Sequence, residues 1–382
     1  MQRFLIFLAI LLGLATTTAA QIGKNVSVAA GTDEDKALAA IYAAADGPDK
    51  VALLDKFMTE HGNGDLELLG DELYVQTYLA QKNYAKVFEY GEKALTLDPN
   101  SLSTAVNMLH AAAEQGDAEK IFAFGEKISA IIARYKALPA PEGTSAKDWD
   151  TFKADSLKNS QADIGYAEYT LVNVAFKTPD PAARAAYLER YAAAFPESPY
   201  TASVREQLAF AYQQAQNPPK MVETAQGILT TDPNNVSMLV LLADYWSDNG
   251  QELDKAAANA QKALDVLATA TKPENMTDEQ WQQQVSLQKG LAYSSLGQVY
   301  VNMNHNAEAV NAFKRASPLL KSDTFSYARN LYRLGFTLAK MKRIPEARPV
   351  LVEAASINGP YKARAQETLD KIGGAGSRHT PR

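Results

Sequence analysis

The chain has 382 residues, 38 Lys and Arg against 44 Asp and Glu, a formal net charge of −6 at pH 7 and no cysteine. This mild acidity argues against a general phosphate-backbone binder, which needs a concentrated basic face, so no nucleic-acid partner is expected. The absence of thiols excludes disulfides, thiolate metal sites, cysteine nucleophiles and the acylated cysteine of a bacterial lipoprotein, which leaves packing to hold the fold.

Residues 1–20 read as a cleavable signal peptide. Arg3 supplies the positive start, Phe4 to Leu14 an apolar run too short to span a bilayer comfortably, and Thr18 and Ala20 the small residues of a cleavage site. Cleavage after Ala20 would leave Gln21 first, and the protein exported, periplasmic or secreted; the alternative is a retained anchor. No later segment has the length of a transmembrane helix, so none is expected after cleavage. Residues 21–34 are small and polar and read as a flexible lead-in. The sequons at Asn25, Asn235 and Asn275 are given no role.

From residue 35 onward apolar residues recur at i, i+3, i+4 and i+7, and strand alternation is hard to find. Gly, Asn, Asp and Pro break the helices, which run about 12–20 residues and fall in pairs. Lys36–Ala45 is one, and Pro48 opens the next, ending near His61-Gly62. Leu66–Gln81 and Tyr84–Leu97 flank a turn at Lys82-Asn83, and the pair closes on Asp98-Pro99. A helix from Leu102 turns at Gly116 into a second that reaches about Leu138. These make an N-terminal repeat region at 35–138, followed by a loop at 139–147. A central repeat region at 148–270 starts with one helix over Trp149–Phe176. It continues with Ala182–Phe195, a repeat near Ala202 with its turn at Asn217-Pro218-Pro219, and another from Val236 turning at Asn249-Gly250. Residues 271–283 read as an insertion, a loop or short helix. The C-terminal repeats with their cap helix fill 284–372, and residues 373–382 read as a disordered tail.

The spacing resembles the tetratricopeptide-repeat (TPR) family, a 34-residue helix pair. Tyr78, Tyr212, Trp246 and Tyr300 fall on its aromatic position 11, Gly297 and Gly335 on small position 8, and Ala94, Ala316 and Ala354 on small position 27. The resemblance implies an all-α fold, a right-handed superhelical solenoid of antiparallel helix pairs (TPR or TPR-like repeats). It covers most of residues 66–357 and marks the exported, bacterial-envelope type through the phrase Phe195-Pro-Glu-Ser-Pro-Tyr200. A helix pair cannot bury its apolar stripe alone, so each pair is expected to lean on its neighbour.

By the same resemblance the first (A) helix of each pair lines a groove. The candidate groove residues are Glu72, Gln76, Asn107, His110, Glu206, Phe210, Asp244, Gln298, Arg329, Tyr332, Arg333 and Phe336. The carboxylate clamp of some family members is not carried over. Arg329 and Arg333 fit its last two places, but Val240, Asp244 and Ser295 stand where Lys, Asn and Asn are needed. Arg329, Arg333 and Lys340 are then either a local anion-attracting patch or, more simply, solvated surface charges.

No phosphate loop, nucleophile elbow or zinc-helix motif occurs, and the four histidines lack metal-ligand spacing. No catalytic, cofactor-binding or metal residue is assigned, and no cofactor is expected. The reading is a non-enzymatic scaffold in the bacterial cell envelope that binds another envelope protein or an extended peptide. The alternatives are a solute- or glycan-binding module of the periplasm and, more remotely, an enzyme on a helical scaffold.

Overall fold

A computed structural model describes residues 22–374. The expected signal peptide, Gln21 and the segment 375–382 lie outside the described residues. Every long element is an α-helix, and the chain forms two compact units, one ending at Val204 and the other starting at Arg205.

The first unit holds α1 (Asp33–Ala43), α2 (Pro48–His61), α3 (Asp65–Ala80), α4 (Tyr84–Leu97), α5 (Leu102–Gln115), α6 (Ala118–Ala137), α7 (Ala146–Asn159), α8 (Gln161–Lys177) and α9 (Pro181–Ala194). The unit boundary falls within α10 (Thr201–Gln214). The second unit continues with α11 (Pro218–Thr231), α12 (Val236–Asn249), α13 (Leu253–Thr269), α14 (Asp278–Asn302), α15 (Asn306–Ala316), α16 (Thr324–Lys340), α17 (Ile344–Ser356) and α18 (Pro360–Gly374).

The repeat is written most clearly in the turns. Lys82, Gly116, Gln216, Gly250, Asn304 and Lys342 all have positive φ, at the junction between the two helices of a pair. Lys82 and Gly116 are 34 residues apart, as are Gln216 and Gly250, whereas Asn304 and Lys342 are 38 apart. After each left-handed residue the next N–H returns to a carbonyl five residues back. Asn83 donates to Tyr78 O (2.9 Å), Asn217 to Tyr212 O (2.9 Å), Gln251 to Trp246 O (2.9 Å) and His305 to Tyr300 O (2.8 Å). This is the six-to-one bond of a Schellman end, which satisfies carbonyls the helix leaves open. Asn83, Asp117 and Asn217 then cap the second helix by accepting from Lys86 N, Lys120 N and Lys220 N.

Packing follows the repeat. Leu38, Ile41, Leu54, Phe57, Leu73 and Tyr74 form one core of the first unit. Val310, Phe313, Leu331, Leu334, Leu338 and Leu351 form one in the second. Close approach is demanded at Gly335, where a Cβ would stand 2.6 Å from Leu351 Cγ, and at Gly125, where it would stand 2.5 Å from Leu171 Cδ1.

Four expectations need correction. The lead-in is docked from its first described residue: Ile22 is buried, its carbonyl accepts from Leu102 N (3.3 Å), and Lys24 N donates to Asp98 Oδ2 (2.7 Å). Residues 149–176 form two helices, broken at Ser160, and α7 already begins at Ala146, capped by Ser145, within the expected loop. The expected insertion ends early, because Thr277 and Gln280 make a capping box that starts α14 at Asp278. α18 runs through residues 373 and 374 of the expected tail.

α7 is thinly held: Ser156 is its buried residue, and Phe152 stays exposed. It is tied to the end of α6 by Trp149 Nε1 donating to Leu138 O (2.9 Å) and Lys153 Nζ donating to Lys136 O (3.0 Å) and Leu138 O (3.2 Å).

Candidate functional site

The A helices that lie wholly in the second unit are α12, α14 and α16. Small and polar positions on them let side chains of α16 reach α12. Arg329 grips Asp244 with both terminal nitrogens, 2.9 Å each, and its Nη1 stands 3.4 Å from Asp248 Oδ2. Arg333 Nη2 pairs with Asp248 Oδ1, and its Nη1 donates to Ser294 Oγ (3.4 Å). Ser295 Oγ donates to Asp244 Oδ1 (3.3 Å). The Arg329 side chain is only 8% exposed and Arg333 10%, so both arginines are buried beside their carboxylates.

Two cations thus meet two anions, and the cluster is electrically balanced. Neither an anion-attracting patch nor a pair of solvated charges describes Arg329 and Arg333. A bidentate, half-desolvated pair of this kind fixes geometry more than it adds stability, because desolvation offsets much of the Coulomb gain. Lys340 is the exposed member of the expected trio, and donates to Asn304 Oδ1 (3.3 Å).

Beside this cluster lies a recess of about 300 Å³. Phe210, Val240, Leu241, Leu287, Leu291 and Phe325 supply its apolar wall, and Gln213, Ser237, Gln288 and Ser326 its polar one. An aromatic edge runs out from it along α16 and α18. Phe325 meets Tyr361 edge-on (5.7 Å), Tyr361 meets Tyr332 (5.8 Å), and Tyr332 meets Phe336 (5.9 Å). Phe325 is 52% exposed and Phe336 45%, unusual for side chains of this size.

The remaining groove candidates of this unit are more committed. Glu206 Oε1 accepts from Asn235 Nδ2 (2.6 Å), at the cap of α12, and Gln298 Nε2 donates to Asn302 Oδ1 (3.2 Å) on its own helix.

In the first unit, Asn107 and His110 line a recess of about 420 Å³ with Leu79, Lys82, Tyr84 and Glu114. His110 stacks on Tyr166 at 3.8 Å, and burial lowers its pKa, so the ring is held neutral. Gln76 is exposed. Glu72 is taken up in the stack, accepting from Ser101 Oγ (2.5 Å) and Thr104 Oγ1 (3.4 Å).

A recurring bond emerges that the sequence reading missed. Glu72 with Ser101, Glu168 with Ser198 and Glu206 with Asn235 each join an A helix to the polar residue 29 or 30 places on, just before the next A helix. Its signal was present as a Glu followed at that distance by Ser or Asn, in three pairs. Among the described residues no helix is long and apolar enough to cross a membrane.

Comparison with known proteins adds the following. The family model of the tetratricopeptide repeat matches residues 291–317, which span the end of α14 and all of α15. No curated protein sequence matches the chain. Among solved structures, Pseudomonas aeruginosa pilF is 15% identical with a TM-score of 0.39, over 56% of this chain and 92% of that one. Yeast Tom70 is 12% identical with a TM-score of 0.39, over 93% and 68%, respectively. The P58(IPK) TPR domain is 12% identical with a TM-score of 0.32, over 91% and 100%. The chain is therefore similar to the tetratricopeptide repeat at residues 291–317.

Proposed function

We propose that this chain is a non-enzymatic tetratricopeptide-repeat scaffold of the bacterial cell envelope. It holds an extended peptide or a helix of a partner protein on the A-helix face of its second unit. The observation that carries the reading is the exposed aromatic edge of Phe325 and Phe336 beside the amide-and-apolar recess. Exposed aromatics next to a preformed recess are the anchors that peptide recognition uses. The balanced Asp244–Arg329 cluster supports it too, because it rigidifies the wall without imposing a charge requirement on the occupant.

A photo-reactive benzoylphenylalanine placed at Phe325 or Phe336 in living cells should cross-link one discrete protein partner. The same probe at Val352, 54% exposed on α17, is the control. If all three positions gave the same products, or none, the A-helix face would not be the binding surface. Export rests on the amino-terminal sequence, and mass spectrometry of the mature protein should find Gln21 as its first residue.

A further inference from the structure

The first unit contains a cavity of about 520 Å³ that the peptide-binding reading does not use. It lies between α6, α7, α8 and the segment after α9. Ile132, Leu157, Ile164 and Phe195 give it an apolar lining, and Glu168 stands in its wall. The volume is that of a small-molecule site.

Glu168 is 9% exposed, and one of its oxygens is already engaged. Ser198 Oγ donates to Oε2 at 2.9 Å. Because the serine hydrogen is spent there, the 2.6 Å contact between Tyr191 and Ser198 must run from the phenol to the serine. Burial pushes the Tyr191 phenol up to about 12, so it remains a donor at any physiological pH. The chain from Tyr191 through Ser198 to Glu168 is thus oriented to serve an ionised carboxylate. The structure gives the other oxygen, Oε1, no hydrogen-bond partner. The equivalent glutamates of the recurring bond, Glu72 and Glu206, line neither this cavity nor the two recesses described above. At the mouth, Lys136 is paired with Glu197 (3.3 Å) and half-exposed, which leaves the lining with one net negative charge.

A largely buried carboxylate whose spare oxygen opens onto a recess with an apolar wall suits a cation that brings its own apolar body. We propose that this cavity is a binding site for a small organic ammonium ligand, a primary amine on an alkyl or arylalkyl group, with Glu168 Oε1 taking the ammonium and Ile132, Leu157 and Ile164 enclosing the body. An anion would meet Glu168.

Fluorine NMR of 4-fluorophenethylamine against the full chain tests this, with 2-(4-fluorophenyl)ethanol as the uncharged counterpart. The amine should bind and the alcohol should bind at least about ten-fold more weakly. Burial raises the Glu168 pKa, so amine affinity should rise with pH as the carboxylate ionises while the amine stays charged. Glu168→Gln should lose about ten-fold in amine affinity and flatten that pH profile. Ala133→Phe, at an exposed position of the lining, should block the chamber and leave Glu168 and the fold in place, whether or not Glu168→Gln disturbs the stack. Equal binding of amine and alcohol, no amine binding at all, or amine binding untouched by Ala133→Phe overturns the proposal.

Discussion

The two units bury charge in opposite ways. The second sinks Arg329 and Arg333 into its A-helix face but supplies Asp244 and Asp248 to meet them. The first sinks carboxylates with no cation in contact: Asp71 is 2% exposed and Glu168 9%. Burial raises the pKa of Asp71 to about 6, with Lys93 pulling weakly the other way. The difference teaches that similar helix pairs can carry either a pH-insensitive latch or a proton-sensitive core. What decides is whether a next-but-one A helix presents the opposite charge.

The harshest way to break this contrast is to orphan a charge. Arg329→Ala leaves Asp244 without its bidentate partner and should cost about 3–5 kcal/mol in denaturant unfolding of the second unit. The double variant with Asp244→Ala should recover much of that loss; simple additivity would mean the two side chains act independently. A smaller effect shows what the units share. Gly335→Leu and Gly125→Leu drive a side chain into Leu351 and Leu171, and each should destabilise by about 2–4 kcal/mol. Equal costs would confirm that packing is common to both and that charge alone separates them.

Next comes the proton. The folded pKa of Asp71 lies above its ordinary 3.8, so the native state holds the proton more tightly than the unfolded chain does. Its stabilising contribution is complete below pH 3.8 and disappears as pH rises through about 6. Asp71→Asn should therefore stabilise the protein by about 3 kcal/mol at neutral pH, and the gap to wild type should close at about pH 4. A gap that stayed constant with pH would remove the first unit's half of the comparison. Smallest are the caps: Asn83→Ala and Asn217→Ala should each lose about 1 kcal/mol, alike in the two units, by thermal melting.

Much of the fold was legible because its signals are local. Asn249-Gly250, Gly116 and Pro48 mark turns and starts by their own backbone preferences, and Gly335 announces a close helix crossing. The parts that escaped notice depend on distant partners. Ile22 and Lys24 look like polar, unstructured chain until Asp98 and Leu102 are brought alongside. Ser160 breaks a helix without Gly or Pro, so periodicity runs straight through it. The site was half legible. Repeat position placed Asp244, Arg329 and Arg333 on A helices, but their mutual pairing spans 85 residues and needs α16 to reach across to α12. The resemblance also named Glu72 and Glu206 as groove residues, and the structure shows each engaged in stapling one pair to the next.

The sparse hold on α7 has a consequence for handling the protein. Held by one buried residue, Ser156, and by the polar ties of Trp149 and Lys153 to Lys136 O and Leu138 O rather than by a broad apolar face, this helix is where backbone amides should exchange with deuterium soonest and where a protease should make its earliest cut. Because Leu157 also forms part of the chamber's wall, a molecule lodged inside would slow both reactions, giving a label-free way to see occupancy without watching the ligand at all.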